Sequence, residues 1–292
     1  MGKTKIQWAT HSWNVTHGCS NVSAGCWNCY ARKMARRMAG RFGYPPAPDY
    51  FKPTIREDRL QEPYSWKKPR VVFVSSMGDL FHEDIPADFI TQVFDVMADT
   101  PNHIYMVLTK RPERMLNVLF GQEGFWYLGG GDYIPNVWLG VTTENQSMAE
   151  SRIQWLLKAT GFKKFISAEP LLGDISLYQV PMRQWGCDGK HQHPHKHEDG
   201  TSGNIPHHHH DEYCEPPINL VIAGGETGTG AREMKWEWAS HLMGQCGNAG
   251  IPFFFKQMGD NFNEDKAADV LGARKAITDR QLPEELKACL EK

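Results

Sequence analysis

From residue 70 onward the chain alternates short, almost wholly apolar runs with longer amphipathic stretches. The apolar runs cover residues 70–75, 103–109, 136–142, 164–168, 220–224 and 252–256. Runs this short, with little polar interruption, predict parallel strands buried on both faces. Between them, helical spacing of apolar residues predicts helices at about 86–99, 112–119, 145–159 and 233–248. Residues 12–16 add one more strand at the start, followed by a cysteine-rich loop and a basic helical stretch over 31–41. Six or seven β/α units in succession predict an α/β fold with a parallel sheet. A partial or full (β/α) barrel and an open doubly wound sheet both satisfy that pattern.

The predicted strands share a second property, since each runs out into polar residues. Ser75, Ser76 and Asp79 follow the first of the six runs, and Thr109, Lys110 and Arg111 close the second. Thr142, Thr143 and Glu144 close the third, Ser167 and Glu169 the fourth, Gly224, Gly225 and Glu226 the fifth, Lys256 and Gln257 the last. Ligands of α/β barrels and open sheets bind at the carboxyl ends of the strands, so these residues are expected to converge on one mouth. Any strand must end in a polar turn, and for each residue alone that reading competes. The repetition of charge favours a site. Glu169 and Glu226 suit ribose hydroxyls, a substrate amine or a proton in transit, and Lys110 joins them as a catalytic candidate. Lys110 and Arg111 suit a carboxylate or phosphate, or else salt bridges to Glu113 or Glu144.

Two segments break the alternation. Residues 43–69 form an irregular, Pro- and aromatic-rich excursion. Residues 186–217 form an insertion holding eight of the thirteen histidines, with Cys187 and Cys214 near its ends. That composition offers weak metal binding on a loop without apolar anchors. The remaining residues of 1–259 read as one barrel-like domain, and 260–292 as a polar, peripheral extension. Hydrophobic residues at 40% and charged residues at 23% supply a full core. No run approaches the ~18 apolar residues of a membrane span. The first residues lack the apolar core of a secretion signal. The expected setting is cytosolic with no membrane partner, and there clustered cysteines read as metal ligands before disulfides.

Cys19, Cys26 and Cys29 fall within the run WNVTHGCSNVSAGCWNCY over residues 13–30, in a chain with seven cysteines in all. Three thiolates leave one position of a cubane cluster or of a tetrahedral zinc without a protein ligand, and an open position is where chemistry happens. A fourth zinc ligand would have to be His11, His17 or the distant insertion. Cys246 and Cys289 stand alone and read as packing residues.

These features together resemble the radical S-adenosylmethionine (SAM) superfamily, and most closely a phage-associated group with a three-cysteine motif. Carrying the resemblance are the cysteine run, FVSSMGDLF at 73–81, LTKRP at 108–112, WLGVTTEN at 138–145, SAEPLLG at 167–173, AGGETG at 223–228 and AGIPFFFKQ at 249–257. The resemblance implies a (β/α) barrel of radical SAM type and a [4Fe–4S] cluster on Cys19, Cys26 and Cys29. It implies SAM bound at the open iron and cleaved reductively to a 5′-deoxyadenosyl radical, with an external electron donor. Ser76, Asp79, Thr109, Thr142 and Glu144 are then expected to place SAM, Asp79 by accepting its ammonium group. Asn28 stands where an aromatic residue often contacts adenine, with Trp27 or Tyr30 as substitutes. Six residues separate Cys19 from Cys26, where the superfamily has three. Gly224-Gly225-Glu226 follows a late strand, where the superfamily's Gly-Gly-Glu follows the second.

Arg32, Lys33, Arg36, Arg37 and Arg41 on the basic stretch alternate with Met34, Ala35, Met38 and Ala39. That pattern makes either a solvated amphipathic face or a phosphate-binding one. The expected function is therefore a radical SAM-type enzyme acting on a nucleotide or nucleic acid. The alternative is a non-radical iron–sulfur or zinc protein that binds nucleic acid or a partner protein.

Overall fold

In the computed structural model, which describes residue 4, residues 6–121, 134–180, 218–261 and 281–290 and the backbone of 195–196 and 202–203, seven strands form one parallel sheet. They are β1 (His11–Trp13), β4 (Val71–Val74), β5 (Ile104–Thr109), β6 (Val137–Thr142), β7 (Lys163–Ala168), β10 (Leu220–Gly224) and β11 (Phe253–Gln257), side by side in that order. Every step moves the same way across the sheet, as in a barrel wall, whereas a doubly wound sheet reverses direction. The sheet curves into a half-barrel with flanking helices. Those helices are α2 (Ala87–Asp99), α3 (Pro112–Phe120), α4 (Gln146–Leu156) and α5 (Trp236–Asn248), with α1 (Tyr30–Arg37) after the cysteine loop. No helix among the described residues is long and apolar enough to cross a membrane.

Alternation along each strand divides the apolar residues between two cores. Val72, Val74, Tyr105, Val107, Leu139, Val141 and Ile166 face outward and pack with residues of α2 to α5. Val71, Met106, Trp138, Phe165, Leu220, Ile222 and Phe254 face inward. Trp8 and Leu286 cover that inner face, Leu286 coming from α6 (Glu284–Leu290). The tail is therefore not wholly peripheral. Its polar composition conceals one amphipathic turn whose leucine is fully buried.

The excursion over 43–69 is also anchored. β2 (Thr16–His17) pairs antiparallel with β3 (Thr54–Ile55), and Tyr44, Phe51, Leu60 and Trp66 are buried. Of the histidine-rich insertion only β8 (His195–Lys196) and β9 (Ser202–Gly203), an antiparallel pair, are described. Its Cys187, Cys214 and expected metal binding lie outside the described residues.

Candidate functional site

The cysteine loop lies at the carboxyl end of the sheet because β1 delivers it there. After β2, Gly18 adopts φ +83 and bridges in parallel to Gly78, just beyond β4. A side chain on Gly18 would collide with the backbone of Phe51 and Lys52, so only glycine fits. Cys26 ends a 3-10 turn over Ala24–Cys26, and Cys29 caps the N-terminus of α1. All three thiols are free and half-buried. Cys19 and Cys29 pack beside Ala31, Ala35, Phe51 and Met77. Among the described residues no three His, Cys, Asp or Glu side chains converge as ligands of one metal ion.

The strand ends hold this loop from several sides. Beyond β5, the Arg111 guanidinium donates to Cys19 Sγ at 3.3 Å, to Asp79 Oδ2 at 3.1 Å and to Ser20 Oγ at 2.7 Å. Beyond β6, Glu144 accepts a hydrogen bond of 2.5 Å from Ser23 and one of 2.8 Å from Arg152. Gly25 lies so close that a Cβ there would enter the Glu144 carboxylate. Beyond β10, Glu226 accepts from Asn28 at 3.1 Å and from the Arg232 side chain at 2.9 and 2.5 Å, while Arg232 also donates to the Ala24 carbonyl. Glu144 is fully buried, and Asp79 and Glu226 are 6% and 7% exposed.

These contacts revise the expected roles. Asp79 already accepts hydrogen bonds from Thr109 Oγ1, Arg111 and the backbone of Phe81 and Lys110. Its oxygens are engaged by these donors, so it anchors the loop to the strand ends. Thr109 serves Asp79, and Thr142 is buried with its carbonyl bonded to Arg152. Glu144 and Glu226 are clamps for Ser23 and Asn28. Arg111 pairs with Asp79 and Glu83, where the sequence had suggested Glu113 or Glu144. Lys110 lines an open cavity of about 760 Å³ between α3 and α4, whose lining includes neither Glu169 nor Lys256.

What remains at the mouth is a smaller group. Tyr30 donates to the Ser76 carbonyl at 2.6 Å, and Ser76 Oγ donates to Asn14. Although the ring is half exposed, desolvation at its bonded hydroxyl, then the charges of Cys29 and Glu169, push the Tyr30 phenol up to about 12. Glu169 pairs with Lys256 across 2.9 Å, and Gly224 leaves room beside its carboxylate. The Cys19 thiol is pushed up to about 11 by burial and by Asp79, against the pull of Arg111. A bound metal inverts that balance by holding the thiolate directly.

Ser20 and His82 also meet, with Oγ and Nε2 separated by 2.9 Å. His82 Nδ1 accepts from the Asp84 backbone N–H, which puts the proton of the neutral ring on Nε2. Burial and Arg111 lower the His82 pKa and favour that neutral form. Ser20 therefore receives hydrogen bonds from His82 and Arg111 and has no base to take its own proton. A serine nucleophile is not formed here.

Arg152 and Arg232 escaped the sequence reading. Arg152 had a signal: it shares the buried face of α4 with Ala149, Ile153 and Leu156, and a cation on an apolar face requires a buried carboxylate. Arg232 follows a glycine-rich stretch with no periodicity to mark it.

A family model described as a protein of unknown function (DUF5131) matches residues 3–287. No curated protein and no solved structure matches the chain.

Proposed function

The chain belongs to the DUF5131 family, and we propose that it is an iron–sulfur enzyme of radical SAM type acting on a nucleotide or nucleic acid. The observation that carries this reading is the convergence of strand-end clamps on one loop bearing three free thiols. Arg111, Glu144, Glu226 and Arg232 all hold the backbone or side chains of residues 19–28. Three of these four charges, Arg111, Glu144 and Glu226, are buried, and such commitment to one short loop fits a loop whose shape matters for ligation.

Cys19, Cys26 and Cys29 would hold a [4Fe–4S] cluster, which supplies the electron that cleaves SAM. A cubane spreads three thiolates over three irons. A zinc ion bound at ~2.3 Å sets its ligands only ~3.8 Å apart. Cys19 and Cys29 share neighbours on this loop, and three cysteines on one loop with a fourth position open suit the cubane. Arg111 would stabilise the Cys19 thiolate through a charge-assisted hydrogen bond. Tyr30, Ser76, Glu169 and Lys256 line the mouth, with Glu169 placed to accept from an amine or ribose hydroxyls and Lys256 to balance a carboxylate. An external one-electron donor completes the reaction.

The test is anaerobic reconstitution with iron and sulfide, followed by SAM and dithionite. Release of 5′-deoxyadenosine supports the reading. A colourless, zinc-loaded protein that neither binds nor cleaves SAM overturns it.

A further inference from the structure

The charge of the chain is unevenly distributed. Residues 1–48 carry seven Lys and Arg and no Asp or Glu, so the rest of the chain, with 25 cations against 34 carboxylates, carries −9. Such asymmetry within a near-neutral protein marks a local surface for a polyanion. Most of these cations lie on or just beyond α1. Ala31 and Ala35 bury one face of that helix, which leaves Tyr30, Lys33, Met34 and Arg37 along the opposite stripe with Arg36 beside it. Arg41 extends the stripe past the helix end.

No carboxylate among the described residues pairs with Arg36, Arg37 or Arg41, whose positive charge faces solvent. Among the described residues Lys33 bonds neutral oxygens, those of Asn28 and Thr229. Exposed aromatic rings stand at both ends of the stripe. Trp27 is 75% exposed with the Arg232 guanidinium 5.7 Å from its ring centroid, and Phe42 is 72% exposed. Phe42 also holds φ +55, a left-handed conformation uncommon for an aromatic residue. A strained backbone that presents a bare ring to water points to a surface that receives something.

We propose that α1 and its two flanks, from Trp27 to Phe42, form a binding track for single-stranded nucleic acid. The cations would follow the phosphates, and Trp27 and Phe42 would stack on unpaired bases, the combination by which strands are held without sequence preference. A duplex would hide those base faces. An anionic membrane calls for a continuous apolar face, whereas between Tyr30 and Phe42 the exposed stripe is cationic apart from Met34. The track passes Tyr30, which bonds Ser76 at the mouth, so a strand lying on it leads there. The use of the strand as substrate rests on the proposed function, whereas its binding does not require the cluster.

Fluorescence anisotropy of a labelled twelve-residue oligothymidylate with the purified full chain, without reconstitution, tests the track. Affinity is expected to fall steeply between about 50 and 200 mM salt. Combining Arg36→Ala, Arg37→Ala and Arg41→Ala should reduce the slope of log K against log salt by about 2, at ~0.7 per phosphate. Phe42→Asn, which keeps a residue suited to positive φ, should weaken binding about 5- to 150-fold through loss of stacking. The proposal is overturned if the wild type does not bind, if these variants bind as the wild type does, or if polyglutamate displaces the strand as well as unlabelled oligonucleotide does. The last outcome would assign the surface to an acidic protein partner. Binding with no cluster activity refutes the proposed function alone, and SAM cleavage with no binding refutes the track alone.

Discussion

The Arg111 guanidinium lies 3.3 Å from the Cys19 sulfur and 3.1 Å from the Asp79 carboxylate, tying the first cysteine to the ends of β4 and β5. Arg111 and Asp79 are 7% and 6% exposed, so removing the cation leaves a buried carboxylate without its partner. Arg111→Leu is predicted to cost about 3–5 kcal/mol in urea unfolding. A loss under 1 kcal/mol would show that the pair does not hold the loop to the sheet.

Gly25 gives a cleaner separation of loop from fold. A Cβ at this position meets the Glu144 carboxylate, which is fully buried and fixed by Arg152. The loop must therefore move in Gly25→Ala while the sheet stays. We expect iron loading after reconstitution to fall at least several-fold, with far-ultraviolet circular dichroism unchanged. Normal loading in this variant would contradict the role given to the Ser23–Glu144 contact.

Glu226 gives a pH dependence. Burial alone would raise its pKa, but the hydrogen bonds from Arg232 and Asn28 outweigh burial and hold it below the usual carboxylate range. A depressed folded pKa contributes stability in full above the unfolded value near ~4.3 and loses it as pH falls through the lower folded value. Glu226→Gln lacks this contribution. The stability gap between wild type and variant should be constant from about pH 6 to 8 and narrow below about pH 4, as read by urea titration at each pH.

Leu286 tests the closure of the inner face. It is fully buried against the core that holds Met106, Trp138 and Phe165. Leu286→Ala is predicted to cost about 2–5 kcal/mol, a loss that a peripheral tail would not produce. Thermal unfolding of the full chain reads it directly.

The sheet was legible because its strands are buried on both faces, and so read as apolar runs. The run 103–109 became β5 at Ile104–Thr109, and the helix expected at 112–119 is α3 at Pro112–Phe120. Residues 12–16 proved to be parts of two strands, β1 and β2, divided at Asn14 and Val15. The position of the cysteine loop at the mouth was legible too, from its place after the first strand. What those strand ends do was not legible. Ser23 and Glu144 stand 121 residues apart, and no periodicity links them. A carboxylate at a strand end reads the same whether it faces a ligand or, like Glu144 and Asp79, is taken up by an arginine. Glu169 kept a place at the mouth because its partner, Lys256, is also at a strand end and both remain partly exposed.

The central claim is that Cys19, Cys26 and Cys29 together carry one cluster. Iron and acid-labile sulfide per chain, measured after anaerobic reconstitution of the wild type and of the Cys19→Ala, Cys26→Ala and Cys29→Ala variants, tests it most directly. The account predicts about four irons and four sulfides per wild-type chain, with stable loading lost in each variant. Iron that stays bound in all three variants, or a wild type that takes up zinc and no sulfide, would contradict it.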